Sequence, residues 1–242
     1  MSAGYGTLTA IGLGPGDPEL LTLKGLRLLR AARWLFAPVR APEAPSYALE
    51  IAWPHLDLAR QQVVALVYPM PRDGEPDEAQ WRANARLIAA HLADGSDGAF
   101  LVEGDPLLYS SFTPTLFTLQ DEFPSLPIRI VPGVSSIVAA AAQAHLPLAR
   151  LDERIAIVPA TSSRRALREA LERYDTVVIL KVARHFEALL DLLESLGRAD
   201  NAILAERVGT PRERLERDLR ALRGQALDYF SLVIVSGGWA NG

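Results

Sequence analysis

The chain has no cysteine, which excludes disulfides, thiolate metal sites and cysteine nucleophiles together. It also lacks any apolar run near the roughly 18 residues that a membrane-spanning helix needs. Its first residues show neither the basic segment nor the apolar core of a secretory leader, so a cytoplasmic location without a membrane partner is expected. Neither sign of charge dominates. With 25 basic and 29 acidic side chains the formal net charge is -4, and nothing advertises nucleic acid as a partner. Histidine is scarce: His55, His91, His145 and His185 are scattered without metal-ligand spacing, so they read as packing or surface residues and no metal is expected. No Gly-x-Ser-x-Gly elbow occurs, which leaves serine hydrolysis without support.

What the chain does have is a glycine-rich turn near its start, Gly12-Leu13-Gly14-Pro15-Gly16-Asp17. A short β-branched and aromatic run, Tyr5 to Ile11, precedes it as a first strand, and Leu23, Leu26 and Leu29 follow at helical spacing. Alternating glycines allow positive φ or the close approach of a ligand to bare backbone. Two familiar phosphate loops fail against the letters. A dinucleotide fingerprint needs glycine at the position of Asp17, and a nucleoside-triphosphate loop needs Gly-Lys where Gly16-Asp17 stands. An acidic residue there would repel a polyanion. Read from these residues alone, the turn is either a ligand loop or a structural bend with Asp17 as N-cap and Pro18 at the first helical position.

Short apolar runs then alternate with helical patterns. Trp34-Leu35-Phe36-Ala37 reads as a brief strand stopped by Pro38, Ser46 caps a helix through Ile51, and Val63 to Val67 is a third strand. The proline-punctuated stretch 68–76 reads as a surface loop, and Asp77 through Leu92 as a long helix with Trp81, Ala85, Ile88 and Leu92 on one stripe. Strands at Ala99 to Val102 and Ile128 to Val131 flank a helix around Thr115 to Leu119. This alternation implies a parallel sheet covered on both faces. Pro132-Gly133 marks a joint between two α/β domains, 1–131 and 132–242. The second half repeats the alternation, with strands at Ile155 to Val158, Thr176 to Leu180, Ala202 to Ala205 and Leu232 to Val235; Arg212 to Gln225 fits either a helix or a bent hairpin. Open parallel sheets bind ligands at the carboxyl ends of their strands. The segments after strands one, four and five, namely the Gly12 turn, Glu103-Gly104-Asp105-Pro106 and Pro132-Gly133-Val134-Ser135-Ser136, would line a single cleft there.

These segments, with Leu20-Leu21-Thr22, Leu180-Lys181-Val182 and Glu206-Arg207-Val208-Gly209-Thr210, resemble in order and spacing the tetrapyrrole methylase family of S-adenosylmethionine-dependent enzymes. Within that family, Pro69-x-x-Arg72-Asp73-Gly74 and the run Gly104 to Phe112 are most similar to the branch that methylates C20 of precorrin-2 in cobalamin synthesis. The resemblance implies two αβα domains with a ligand crevice between them, a homodimer, S-adenosyl-L-methionine as cofactor and a small-molecule tetrapyrrole as substrate. Carried over by position, it implies cofactor contacts at Pro15, Glu103, Gly104, Asp105, Leu108, Ser135, Ser136, Lys181, Val182, Ala205, Glu206, Arg207, Val208 and Ser231. It implies substrate contacts at Gly14, Gly16 and Arg72, beside Asp17 and Tyr109. Glu103 departs from the family, in which many relatives carry a small residue at that place.

That activity explains the missing catalytic cluster. A sulfonium methyl is already activated, so positioning the attacking carbon and excluding water are the main requirements. Precorrin-2 is electron-rich at C20, and attack leaves a cation that must lose a proton; Asp17 and Tyr109 are the catalytic candidates for that loss, with Asp105 or water as alternatives. Arg72, Arg33, Arg40 and Lys24 are candidate partners for the substrate's carboxylates, each also readable as a solvated side chain. The competing expectations are another tetrapyrrole position, such as uroporphyrinogen III or precorrin-4 methylation, and a nucleotide-binding α/β protein. A relative acting on ribosomal RNA or diphthine belongs with the first of these, and the acidic charge counts against RNA.

Overall fold

The computed structural model describes residues 4–69 and 77–237. Most of the proline-punctuated loop, Arg72 and Trp239 lie outside the described residues. The chain divides into two compact units, Met1–Ser135 and Ser136–Gly242.

The first unit alternates strand and helix: β1 (Leu8–Gly12), α1 (Leu23–Ala31), β2 (Trp34–Val39), α2 (Tyr47–Ala52), β3 (Gln62–Val67), α3 (Glu78–Leu92), β4 (Gly98–Val102), α4 (Phe112–Glu122) and β5 (Ile128–Val131). The five strands are all parallel, in the order β3-β2-β4-β1-β5. Strands β1 and β4 are buried at every position, which is why their letters form continuous apolar runs instead of alternating ones. Successive residues point to opposite faces. Leu8, Ala10 and Phe100 pack on one side with Ile88 and Leu92 of α3 and Phe112 of α4, while Ile11, Leu35 and Leu101 pack on the other with Leu29 of α1 and Ile51 of α2. Thr22, Ser46 and Asp77 each cap the helix that follows by accepting a backbone N–H.

Pro38 does not end its strand. β2 continues to Val39, and its pairing with β4 stops at Phe36 while pairing with β3 continues to Val39. The Val39 carbonyl accepts the Tyr68 N–H on the β3 side, so the missing N–H of Pro38 faces the side where the ladder has already ended.

The second unit contains α5 (Ser136–Gln143), β6 (Ile155–Pro159), α6 (Arg164–Arg173), β7 (Thr176–Leu180), α7 (Phe186–Ser195), β8 (Ala202–Glu206), β9 (Arg214–Glu216) and β10 (Ser231–Ser236). It does not repeat the first sheet. Only β6 and β7 are parallel; β10 inserts antiparallel between β7 and β8, and β9 adds antiparallel outside β8. A parallel return to the sheet needs a crossover, usually a helix. Between β8 and β10 the described chain supplies only β9 and a 3₁₀ turn, Leu219–Leu222, so the ambiguous Arg212 to Gln225 segment is neither a full helix nor a simple hairpin. Leu219 and Leu222 bury themselves, and Arg223 reaches Glu187, Asp191 and Glu194 of α7 at 3.2, 2.9 and 2.9 Å. These half-exposed pairs place the turn against α7 more than they stabilise it. Among the described residues no helix is long and apolar enough to cross a membrane.

Gln61 shows how the first unit fastens its helices to its sheet. Its buried side-chain amide donates to the Leu29 and Ala32 carbonyls at the end of α1, at 2.7 and 3.0 Å, and accepts the Asp57 N–H at 2.8 Å. Replacing Gln61 by Leu keeps the volume and strands these groups. The expected loss is about 1–3 kcal/mol of unfolding free energy, read from urea midpoints at unchanged slope.

Candidate functional site

Because β4, β1 and β5 are neighbours and parallel, the segments that follow them leave the same edge of the sheet side by side. The glycines let these segments touch backbone to backbone. Gly14 and Gly104 form an antiparallel bridge in which the Gly104 N–H donates to the Gly14 carbonyl at 2.8 Å. A Cβ at Gly12 would lie 2.4 Å from the Gly133 nitrogen, and one at Gly133 would lie 2.2 Å from the Gly104 carbonyl oxygen. Asp105 completes the junction, accepting the Leu107 N–H at 2.9 Å through one oxygen and the Gly133 N–H at 3.0 Å through the other. Its carboxylate therefore ties one loop to the next.

Around this junction, Pro15 is buried and Gly16 and Asp17 are partly buried. Asp17 accepts the Glu19 N–H at 2.8 Å as the N-cap of a 3₁₀ turn with Pro18 at its start. Gly104 has a left-handed φ of 69°, and nothing lies within 4 Å of where its Cβ would be. Leu108 closes a turn on the Asp105 carbonyl, and Tyr109 is half exposed with a φ of 53°. Glu103 and Ser135 are partly buried at the same edge.

The second unit gathers its own set at one sheet edge. Antiparallel pairing sets Ser231 opposite Glu206 and Leu232 opposite Leu180, so the ends of β7 and β8 meet the start of β10. Lys181 and Arg207, the residues that follow β7 and β8, are both left-handed, with φ of 59° and 44°. Neither is glycine, and a left-handed conformation costs such residues about 1 kcal/mol or more. At Arg207 the surroundings hold it. Its N–H donates to the Phe230 carbonyl at 2.9 Å, its Nε donates to Asp228 at 2.6 Å, and its guanidinium lies over the Phe230 ring, 5.2 Å from the centroid. Val182, Ala205 and Val208 are buried beside them, and Ser231 donates to the Asp228 carbonyl at 2.6 Å. Glu206 is buried, accepting the Asp228 N–H at 2.7 Å and facing Arg214 at 3.5 Å. Ser136 opens α5.

The candidate cations divide by position. Arg33 precedes β2 at the amino edge of the sheet, opposite the loops, where it meets Asp94 and Ser96 at 3.3 Å. Topology therefore takes it away from the site. Arg40 follows β2 on the loop edge, Lys24 is exposed in the first turn of α1, and Arg72 is outside the described residues. Among the described residues no group of three or more His, Asp or Glu could hold a metal ion. His91 packs edge-on against Trp34 and Phe36. Several participants escape sequence reasoning. Asp228 and Phe230 hold Arg207 but carry no spacing signal, and Tyr68 buries its phenol at the end of β3 beside Thr115. Burial pushes the Tyr68 phenol well above its ordinary range despite its hydrogen bonds with Thr115 and Asn84, which keeps it a donor.

The packed glycine loops at one parallel edge, followed by a mixed-sheet unit with left-handed strand ends, define a class. The sequence profile described as Tetrapyrrole (Corrin/Porphyrin) Methylases matches residues 7–222, and the chain belongs to that family. Within it, the chain is 32% identical to the cobalt-precorrin-2 C(20)-methyltransferase of Salmonella typhimurium, over 97% of this chain and 98% of the relative. It is likewise 32% identical to the precorrin-2 C(20)-methyltransferase of a Sinorhizobium species, over 97% of this chain and 96% of the relative. Among solved structures it is similar to the uroporphyrin-III C-methyl transferase of Thermus thermophilus complexed with S-adenyl homocysteine, with a TM-score of 0.68, 25% identity, and coverage of 96% of this chain and 97% of that one.

Gly133→Ala should break the loop junction, because backbone on both sides blocks the new methyl. A destabilisation of about 1–3 kcal/mol is expected, measured by urea unfolding, with a larger fractional loss of activity than Gly4→Ala, whose position is open and not left-handed. Asp228 supplies a pH test. Burial alone would raise its carboxyl, but the hydrogen bond from the Phe230 N–H and the Arg207 guanidinium outweigh burial and hold it below the usual carboxylate range. A depressed folded value means that its contribution to stability is present above the unfolded aspartate pKa of about 3.9 and lost as pH falls through the folded value. Asp228→Asn should therefore flatten the acid limb of the stability profile while costing most near neutral pH, read from urea midpoints across that range.

Proposed function

We propose that the chain transfers a methyl group from S-adenosyl-L-methionine to C20 of precorrin-2 or its cobalt complex, a step in cobalamin synthesis. The observation that carries this reading is the nearly end-to-end similarity to two relatives named for C20 methylation, one of a cobalt-precorrin and one of a precorrin. The solved relative with S-adenyl homocysteine supports the cofactor. The local structure suits such a ligand: a buried Gly104 leaves open space where a side chain would stand, and Lys181 and Arg207 turn their strand ends with left-handed backbone.

In this reading, Pro15, Glu103, Gly104, Leu108 and Ser135 of the first unit would hold the cofactor. Ser136, Lys181, Val182, Ser231 and the strand end from Ala205 to Val208 would hold it in the second. When bound, the cofactor supplies a methyl group already activated on a sulfonium. The chain's own task is to orient the substrate carbon, exclude water and take up a proton. Asp105 contributes by holding the Gly133 loop, since both its oxygens accept backbone N–H groups. Proton removal then falls to Asp17, whose carboxylate also caps the next turn, or to the half-exposed Tyr109. Gly14, Gly16 and Arg72 would face the tetrapyrrole. We assign the active form to a cytoplasmic homodimer on the family resemblance.

The test has two arms. Calorimetry with adenosylhomocysteine should give binding in the micromolar range, and no binding removes the methyltransferase reading. Incubation with isotope-labelled cofactor and precorrin-2, with and without cobalt, should place the label on C20 by NMR; label on any other ring carbon reassigns the position.

A further inference from the structure

The turn that carries Pro15, Gly16 and Asp17 has little backbone bonding of its own. Two of its residues are prolines without an N–H, and its internal bonds are those from Leu20 to the Asp17 carbonyl and from Leu21 to the Pro18 carbonyl, at 3.1 and 3.3 Å. On its inner side it is tied to Gly104 through the Gly14 carbonyl. On its outer side two side chains from another part of the first unit hold it. The Tyr47 hydroxyl donates to the Pro15 carbonyl at 3.1 Å, and His55 Nε2 lies 3.1 Å from the Pro18 carbonyl. A carbonyl oxygen only accepts, so that nitrogen carries hydrogen. Only Gly16 and Asp17 lie between the two carbonyls.

Both donors stand on a firm base. Tyr47 opens α2, whose N-cap Ser46 is buried and accepts the Leu49 N–H at 3.3 Å, and whose Ala48, Ile51 and Ala52 are buried in the core. His55 ends the 3₁₀ turn Trp53–His55 that continues α2. A site held by side chains on a packed helix keeps a tighter geometry than one held by its own loop.

We infer that Tyr47 and His55 are positioning residues that set the shape of the Pro15–Asp17 turn for cofactor and substrate. Their effect on binding rests on the methyltransferase reading; their effect on the turn does not. Each acts through a proline carbonyl, and neither is a catalytic residue.

The experiment compares the full chain with Tyr47→Phe, His55→Leu and His55→Gln, the last retaining an amide donor at the reach of Nε2. Amide hydrogen exchange at Gly104, Leu20 and Leu21, whose N–H groups bond carbonyls of the turn, should quicken about five-fold without ligand for Tyr47→Phe and His55→Leu, as expected for the loss of one net hydrogen bond. Adenosylhomocysteine affinity should fall by a similar factor, and KM for precorrin-2 should rise more than kcat falls. His55→Gln should restore all three, and exchange at Val177–Ile179 in the second sheet should not change. Exchange and affinity equal to the parent chain in both Tyr47→Phe and His55→Leu would overturn the inference, as would His55→Gln behaving like His55→Leu. Should His55→Leu not fold, Tyr47→Phe and His55→Gln decide it. If the parent chain binds no adenosylhomocysteine, the methyltransferase reading fails, and exchange at Gly104, Leu20 and Leu21 still decides the positioning role.

Discussion

Contact between bare backbones at Gly12, Gly104 and Gly133 is the constraint on which the first unit's site depends. Three neighbouring parallel strands deliver three segments to one edge, where a Cβ at Gly12 or Gly133 would run into backbone at the separations seen and Gly104 supplies a left-handed φ. Once they touch, peptide groups and one carboxylate do the fastening: Gly104 bonds Gly14, and Asp105 bonds Gly133. Parallel strands impose this geometry, because their carboxyl ends share an edge and their N–H and C=O groups beyond the ladder seek partners there. The junction leaves open space where a side chain at Gly104 would stand.

The second unit reaches a comparable result by another route. Its sheet is mixed, so the ends of two strands meet the start of a third, and the left-handed Lys181 and Arg207 turn the chain at that edge. Strain at Arg207 persists because the surroundings over-determine it. A backbone bond, an ion pair with Asp228 and the face of Phe230 act on one residue, and Glu206 in turn holds the Asp228 backbone. Asp228 thus links the end of β8 to the start of β10.

Both arrangements suit chemistry that depends on placement. Reactive side chains are few, and the acidic residues nearest the junction are already engaged in local structure: Asp105 with two N–H groups and Asp17 with one. Tyr47 and His55 extend the same logic outward, since they bond carbonyls of the turn. Methyl transfer from an activated donor asks for geometry first, and this chain supplies geometry mainly through its backbone.

The letters alone determined the local units and the family. Apolar runs such as Ala99 to Val102, caps such as Thr22, Ser46 and Asp77, and the glycine turn are short-range signals, and hydrophobic period and capping chemistry act over a few residues. Their order and spacing also suffice to recognise the tetrapyrrole methylases. What only the tertiary structure decided is long-range. Pro38 stays in its strand because the β4 ladder has already ended beside it, and β10 enters antiparallel because no helix is available for a crossover. Arg33 leaves the site because it lies at the opposite edge, and Asp228 reaches Arg207 across 21 residues of chain. Pairing partners, edges and side-chain clasps depend on contacts between distant segments, and no local pattern of residues encodes which distant segment will be there.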